Sequence, residues 1–432
     1  MVKSRTWRRY SKHTEVPYSI IRQITEKVAE KNCKLLDEEK VIDLSIGQNF
    51  LGKPKVIFSH ITWLMEKNFD APILYEPSLG SIDTRRKMAE NFYSNWYTIP
   101  RDSYDYNNIM ITDGAFGAVR NALLAIMNPG DLLVVDRFTF RYFIEALVIA
   151  GRQLQPFKVY IVPSKEDECY IASAESILEF LEKLHYNNPD KNIVYYTQFG
   201  FNPTGCFRKS SELKVLVEGI EENPRLFLVN DIAYHLIRWE IKDIPLATYF
   251  AQSGDGIVDA DSLSKPFGLM GIRVGALITK DSELFRRAAR VQQYSIVSPN
   301  KLAVNVWDVL ATSSYSKEIK EEVLNLNSQI KENLLLTKKY LREINIEVLE
   351  PTMGTIYAFI KSPEPASTFW KKLLDGAKVA VVPGTAFTDS SDPEGEKYLR
   401  ATISVPKESL ERALSRIIEY GRKQISKRKT VG

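Results

Sequence analysis

Short apolar segments alternate with helical stretches from about residue 55 to residue 295. Each apolar segment has the length of a strand, and turn residues or helical patterns separate it from the next. This alternation predicts an α/β domain with a largely parallel sheet. Ligands collect at the carboxyl ends of the strands in such a sheet, so functional residues are expected there. The clearest predicted strands span residues 108–112, 132–135, 193–197, 226–229, 257–258 and 274–279.

The segments on either side have a different pattern. Apolar residues at helical spacing predict a helix over residues 17–36, and a short strand is predicted at 41–47. After residue 300 the pattern predicts a long, charge-rich helix and two short strands before a closing helix. These elements span residues 316–343, 346–349, 354–360 and 408–422.

At 432 residues the chain exceeds the size of one hydrophobic core, so more than one domain is expected. We expect a small domain built from two parts of the chain, an N-terminal helix and strand and a C-terminal segment. A large domain is expected between these parts, and a basic tail before them. The predicted boundaries are 1–16 for the tail, 17–54 and 301–432 for the small domain, and 55–300 for the large domain.

The composition argues against several classes of protein. A net charge of +4 is small for this length, which argues against nucleic-acid binding, and no apolar run of membrane-spanning length occurs. Three widely spaced cysteines indicate a reducing compartment, the cytoplasm, rather than a disulfide scaffold. Four histidines without metal-ligand spacing predict no metal site. The basic residues near both ends are expected to be solvated.

One lysine has unusual neighbours just after a predicted strand. Lys265 follows the hydroxyls of Ser262 and Ser264, and Arg273 lies eight positions later in a glycine-bracketed turn. A lone loop lysine is usually a solvated surface residue. Together, however, an amine, hydroxyls and a guanidinium suit a ligand that carries both an aldehyde and a phosphate. Pyridoxal 5'-phosphate (PLP) is such a ligand.

The segment from Asp261 to Gly275, DSLSKPFGLMGIRVG, closely resembles the lysine motif of the class I and II aminotransferases. The resemblance implies that Lys265 holds PLP as a Schiff base, that Ser262 and Arg273 bind its phosphate, and that Ser264 assists. It also implies PLP fold type I, which is aspartate-aminotransferase-like. That fold has a large α/β domain with a mixed, mostly parallel central sheet and a smaller α+β domain.

Other motifs of this family follow the predicted strands in the family's order. An aspartate at a strand end is most often a helix cap. Asp231, however, matches the family's aspartate that pairs with the pyridine nitrogen, and Tyr234 matches the tyrosine that binds the cofactor's 3'-oxygen. Asn202, in the Asn-Pro-Thr-Gly motif, matches a second donor to that oxygen. The bond from Asn202 to Pro203 is often cis in the family.

Two more strand ends resemble parts of the cofactor site. The turn after residue 112 contains a glycine and precedes a helical stretch, where free backbone N–H groups favour an anion. The resemblance implies main-chain contacts to the phosphate from Gly114, Ala115 and Phe116. Phe140 matches the aromatic residue that stacks on the pyridine ring. Phe138 stands where proline is usual, so a second cis bond is not expected there.

The remaining matches lie towards the substrate and the partner subunit. Arg400 matches the arginine that binds the substrate α-carboxylate as a bidentate fork, and Gly47 matches the glycine whose backbone lies beside it. Asn202 is assigned to the same substrate site. Tyr75 matches a tyrosine that reaches the PLP phosphate of the neighbouring subunit, which implies a homodimer with shared sites. Gln48, Asn49 and Phe50 are expected to border the side-chain pocket.

The resemblance, over about residues 17–422, implies an aminotransferase that acts on an α-amino acid and a 2-oxo acid. It implies three catalytic residues: Lys265 as general base, with Asp231 and Tyr234. A lyase or synthase using the same site remains open, because the Ser-Leu-Ser-Lys motif also resembles aminocyclopropane-carboxylate synthases. A PLP-binding regulator is disfavoured, since the stretch before residue 17 is too short for a DNA-binding module.

Overall fold

The fold is described from a computed structural model, in which residues 16, 18–36, 39–52, 54–67, 74–150, 158–166 and 169–431 are described. The strands are β1 Ile42–Asp43, β2 Ile109–Asp113, β3 Leu132–Asp136, β4 Lys158–Val162, β5 Ile193–Gln198, β6 Leu226–Asp231, β7 Ile257–Ser262, β8 Val274–Ile278, β9 Tyr357–Lys361, β10 Val379–Ala380, β11 Val382–Pro383 and β12 Tyr398–Thr402. The helices are α1 Ile20–Asn32, α2 Lys55–Lys67, α3 Ile82–Lys87, α4 Tyr93–Tyr97, α5 Ala115–Ile126, α6 Tyr142–Ile149, α7 Ala174–Asn187, α8 Ser210–Glu221, α9 Ala247–Phe250, α10 Ser282–Ile296, α11 Lys301–Ala311, α12 Ser316–Arg342, α13 Ala366–Lys372 and α14 Lys407–Val431. Within these described helices, none is long and apolar enough to cross a membrane.

The described residues form a central sheet of seven strands in the order β2-β8-β7-β6-β5-β3-β4. Strands β3 to β7 run parallel, whereas β8 is antiparallel to both of its neighbours. The sheet is therefore mixed and mostly parallel, as predicted. All six predicted strands are present, with ends shifted by up to a few residues, and β4 is an additional strand that the sequence pattern does not indicate.

Parallel pairing places the carboxyl ends of the middle strands side by side. Gln198 at the end of β5 lies opposite Asp231 at the end of β6. Ser262 ends the next strand, β7, and pairs across to Gly275 at the start of β8. Because β5 to β7 are almost fully buried, the polar residues at their ends are held by a rigid apolar sheet.

A buried tryptophan fixes the position of β8. The Trp307 side chain of α11 is fully buried, and its indole N–H donates to the carbonyl of Gly275 over 3.1 Å. Its ring meets that of Phe92 edge-on, with the centroids 5.0 Å apart. Tryptophan combines a large apolar area with one polar atom that needs a partner when buried. This contact therefore supports the strand next to the predicted phosphate site.

A smaller set of strands joins the two ends of the chain. Strands β9, β11 and β12 form an antiparallel sheet, and β1 pairs in parallel with β10. The chain continues beyond β1 beside β12, where the N–H of Thr402 donates to the carbonyl of Leu44 over 2.8 Å. The N-terminal strand therefore lies against the C-terminal segment. The domain boundaries given above remain predictions, and the tail before residue 16 lies outside the described residues.

The C-terminal segment departs from the prediction in two places. The prediction of a strand at 346–349 is wrong, because the described chain there makes only an isolated bridge between Val348 and Ile360. Two flanking hydrogen bonds attach the segment to β9 without a continuous ladder, from Leu349 to Phe359 and from Lys361 to Glu347. The closing helix α14 is longer than predicted and reaches Val431.

The cysteines also differ from the expectation. Cys169 and Cys206 form a disulfide with their Cα atoms 6.3 Å apart, whereas Cys33 is free and exposed. Both paired cysteines are buried. The two residues are 37 positions apart in the chain, and folding brings the loop after β4 against the loop after β5. Wide spacing along the sequence therefore does not exclude this disulfide.

Candidate active site

The predicted functional residues converge at the carboxyl edge of the central sheet. Asp231 and Ser262 are the last residues of β6 and β7, and Lys265 lies three positions beyond β7. Asn202 follows β5, and Gly114 joins β2 to α5. The strand order brings these loops together although they are distant in sequence.

Lys265 lies partly buried within this cluster. Its Nζ donates to the carbonyl of Gly47, and its own carbonyl accepts from Nδ2 of Asn49 over 2.7 Å. Burial, and then the positive charges of Arg400 and Arg273, lower the pKa of Lys265 to about 7. A substantial fraction of the amine is therefore neutral near neutral pH. Asn49 is predicted to border the pocket, and it also anchors the backbone of the lysine loop.

Asp231 is held by two donors. Its Oδ1 accepts from the N–H of Ala233 over 3.0 Å, which is the local turn contact expected of an ordinary capping aspartate. Its Oδ2 accepts from the hydroxyl of Tyr196 over 2.9 Å. Burial raises the pKa of Asp231 to about 6, although both hydrogen bonds oppose this effect. The sequence pattern does not identify Tyr196, because its partner lies on the neighbouring strand.

A second group of side chains surrounds Arg400. The hydroxyls of Tyr234 and Tyr357 lie 2.7 Å apart, and the Tyr357 ring centroid is 4.5 Å from the guanidinium carbon of Arg400. Asn202 Oδ1 accepts from Nη1 of Arg400 over 3.0 Å. The peptide bond between Asn202 and Pro203 is cis, as in many members of the resembled family. Tyr357 was also missed, since a single tyrosine in the strand that follows Gly354 carries no distinctive signal.

Arg400 is a buried cation that lacks an acidic partner. It is 1% exposed, and its Nη2 donates to the carbonyl of Ser45. Its Nε has no hydrogen-bond partner, and no carboxylate forms an ion pair with it in the described part of the chain. An unpaired buried guanidinium is costly unless a ligand supplies the counter-charge. The Arg400 site therefore fits a carboxylate.

Another cation lies at the start of α5. Nη2 of Arg273 donates to the carbonyl of Asp113 over 3.0 Å, and a Cβ at Gly114 would lie 2.7 Å from that nitrogen. Gly114 has a φ of +82°, which other residues rarely adopt, and α5 begins at the next residue, Ala115. The first N–H groups of a helix have no partner within it, so Ala115 and Phe116 present donors beside Arg273.

The serines of the lysine loop complete this region. The hydroxyl of Ser262 donates to the carbonyl of Val274 over 3.1 Å, and its Oγ accepts from the N–H of Ser264 at the same distance. Ser262 also pairs with Gly275, which packs against Gly114. The loop with Arg273 and the N-terminus of α5 therefore form one anion-binding cradle of the kind that a phosphate requires.

Two predicted residues have roles that the isolated chain leaves open. The ring of Phe140 packs against Tyr142 with the centroids 4.6 Å apart, so its stacking on a cofactor ring remains a prediction. Tyr75 is 90% exposed. Phe138, by contrast, is buried against Tyr170, and the bond from Asn202 to Pro203 is the one cis bond among the described residues.

Comparisons with known proteins agree with this geometry. The family model described as aminotransferase class I and II matches residues 39–417. The chain is 25% identical to an aspartate aminotransferase of Pyrococcus horikoshii, over 92% of this chain and 93% of that protein. It is 24% identical to an LL-diaminopimelate aminotransferase of Natranaerobius thermophilus, over 88% of this chain and 92% of that protein.

The crystal structure of an aminotransferase from Mycobacterium tuberculosis has a TM-score of 0.81 at 21% identity, covering 96% of this chain and all of that one. The aspartate aminotransferase of Thermotoga maritima has a TM-score of 0.78 at 22% identity, covering 95% and 99%. The prediction of an aspartate-aminotransferase-like fold is confirmed.

Gly275→Ala tests the phosphate cradle. A Cβ at Gly275 would collide with the backbone of Gly114 and lie 2.7 Å from the carbonyl of Asp261. The added methyl group displaces the start of α5, so one or two charge-assisted hydrogen bonds to the phosphate would be lost. We therefore expect the affinity for PLP to fall by about tenfold or more. Titration of the cofactor-free protein, followed by absorbance, measures this affinity.

The matched control is Gly271→Ala in the same loop. A Cβ at Gly271 meets no atom within 4 Å, and its φ is not in the left-handed region. This variant should bind PLP like the wild type. Equal affinities for Gly275→Ala and Gly271→Ala would contradict the cradle.

Proposed function

Because the chain belongs to the class I and II aminotransferases and is therefore a transferase, we propose that it uses PLP held at Lys265 to move the amino group of an α-amino acid to a 2-oxo acid. One observation carries the proposal beyond family membership. Arg400 is buried without an acidic partner and acts on the pKa of the buried amine of Lys265, so a carboxylate and a reactive amine would meet in one pocket.

The residues present fit PLP at both of its ends. Gly114, Ala115, Phe116 and Arg273, with the Ser262 and Ser264 hydroxyls, would bind the phosphate. At the other end, Asp231 would pair with the ring nitrogen, and Phe140 would stack on the ring. When bound, PLP supplies an aldehyde that condenses with amines and a ring that stabilises negative charge at the substrate α-carbon.

Lys265 has two tasks in this proposal. Nζ would hold the cofactor covalently, and when free it would remove the α-proton of the substrate and later return a proton. Both tasks require a neutral amine. The pKa of Lys265, lowered to about 7 by burial and by Arg400, makes that form available near neutral pH. The carbonyl of Gly47 holds Nζ in position.

Arg400 would orient the substrate. Its free Nε and its neighbouring N–H groups suit a two-point contact with the α-carboxylate, and the Gly47 backbone lies beside it. Asn202 accepts from Arg400 through Oδ1, so its side-chain N–H groups remain available to donate to the cofactor's 3'-oxygen. Tyr234, paired with Tyr357, would donate to the same oxygen.

A homodimer is part of the proposal. Tyr75 is 90% exposed and Leu74 beside it is 62% exposed, although an ion pair between Glu76 and Lys301 anchors the next residue. An anchored segment with large apolar side chains in solvent suits contact with another chain. Tyr75 would reach the phosphate at the partner's site.

We also propose a cytoplasmic location, the compartment that the sequence analysis predicts. The number and spacing of the cysteines no longer support this proposal. Cys169 and Cys206 form a disulfide, and disulfides are rare in reducing compartments.

Transfer of a labelled amino group tests the function directly. We expect ¹⁵N from an L-amino acid to appear in the amino acid formed from 2-oxoglutarate, without release of free ammonia. The substrate panel should include L-aspartate and LL-diaminopimelate, the substrates that the names of the two relatives indicate. Lys265→Ala is the control without transfer. Labelled ammonia in place of a labelled amino acid would indicate a lyase and contradict the proposal.

Arg400→Lys tests the carboxylate site. A lysine keeps the charge but loses the planar fork, so we expect the KM for the amino acid to rise by about 100-fold, while the PLP affinity stays within about threefold. The control substrate is the corresponding amine, which is the same amino acid without its α-carboxylate. It makes no contact with Arg400. Steady-state kinetics with both substrates measure the effect. An equal loss for the amino acid and for the amine would contradict the assignment.

A further inference from the structure

Tyr196 lies beside Asp231 on the neighbouring strand. Strands β5 and β6 pair in parallel with Gln198 opposite Asp231, and Tyr196 lies two residues before Gln198, on the same face of β5. Its hydroxyl donates to Oδ2 of Asp231 over 2.9 Å. An ionised carboxylate can only accept, so the tyrosine is the donor.

The Tyr196 side chain has little freedom to move. It is fully buried, and its ring packs against Phe143 of α6 with the centroids 4.1 Å apart and an interplanar angle of 41°. A buried hydroxyl without a partner is costly, so the bond to Asp231 is also required for the stability of the tyrosine. The orientation of the ring therefore determines the orientation of the carboxylate.

Asp231 depends on this donor. Among the described residues, Tyr196 supplies the one side-chain hydrogen bond to Asp231, and the N–H of Ala233 supplies the other bond. The nearby carboxylate of Asp261 acts against ionisation of Asp231. Asp261 has its own donors, the hydroxyl of Tyr93 at 2.8 Å and the N–H of Ser262 at 2.6 Å, so it does not compete for Tyr196.

We propose that Tyr196 is a positioning residue, which holds the Asp231 carboxylate in the orientation that serves the ring nitrogen of the bound cofactor. The proposal rests on the role given to Asp231 in the proposed function. Without the hydroxyl, the carboxylate keeps only the Ala233 contact and can rotate. It would also protonate more readily, because one of the two donors that stabilise its charge is lost.

The neighbouring residue offers a matched control. Tyr195 is also fully buried in β5 but points to the opposite face, where its hydroxyl donates to Oδ1 of Asp136 over 2.8 Å. Asp136 is a buried carboxylate that we do not assign to the active site. Tyr196→Phe and Tyr195→Phe therefore remove the same atom from adjacent residues, and each removes a hydrogen bond to an aspartate.

The experiment compares three variants, Tyr196→Phe, Tyr195→Phe and Asp231→Asn. Each is measured as the holoenzyme and as the cofactor-free protein. For Tyr196→Phe we expect kcat to fall by about tenfold, with KM within about twofold, because a hydrogen bond to a charged group is lost. The loss of activity at low pH should begin at a higher pH, since Asp231 without its donor takes up a proton sooner. The affinity of the cofactor-free protein for PLP should fall several-fold. Tyr195→Phe should lower the thermal midpoint by a similar amount but leave kcat, the pH profile and the PLP affinity unchanged.

Two results would overturn the inference. If Asp231→Asn is impaired but Tyr196→Phe matches Tyr195→Phe in kcat, pH profile and PLP affinity, then Tyr196 has only a structural role. If Asp231→Asn itself retains wild-type kcat and PLP affinity, then the role given to Asp231 in the proposed function fails, and this inference fails with it. The Asp231→Asn result therefore separates the two failures.

Discussion

The active site depends on positive charge held around one buried amine. Arg400 and Arg273 both act on Lys265, and Asp231 is the acid that opposes them. Burial and these cations keep the lysine partly neutral near neutral pH, as a nucleophile or base requires. Arg400 also needs an anionic ligand, since a buried guanidinium without a counter-charge is unfavourable. The affinity for a carboxylate and the reactivity of the amine therefore have a common physical origin.

The fold produces this arrangement from segments that are far apart in the chain. Parallel pairing of β5, β6 and β7 aligns the strand ends at or beyond which Asn202, Asp231 and Lys265 lie. The pairing of β1 with β10 then brings Gly47 to the same place as Arg400 of β12. Arg400, in the smaller sheet, donates a hydrogen bond to Asn202, which follows β5 of the central sheet. This bond links the two parts of the site.

Much of the site is predictable from the sequence, because its residues stand at strand ends in the order that one family uses. Asp231 and Lys265 could be recognised in this way, and the structure brings them together. Contacts across strands are different, since residue type alone does not identify a partner. In the sequence pattern Tyr196 is one position of an apolar, buried strand, but in the structure its hydroxyl donates to Asp231 on β6. The pairing of Cys169 with Cys206 was missed for the same reason, because it depends on two loops that the sequence does not show to be adjacent.

Lys265 is the residue proposed to carry the cofactor, and every other role in the site is assigned relative to it. Treatment of the PLP-loaded protein with borohydride, followed by digestion and peptide mass analysis, identifies the lysine that carries the cofactor. We expect a stable pyridoxyl group at stoichiometric yield on the peptide that contains Lys265 and on no other lysine. A pyridoxyl group at a different lysine, or no labelled peptide from a protein that binds PLP, would show that Lys265 does not carry the cofactor.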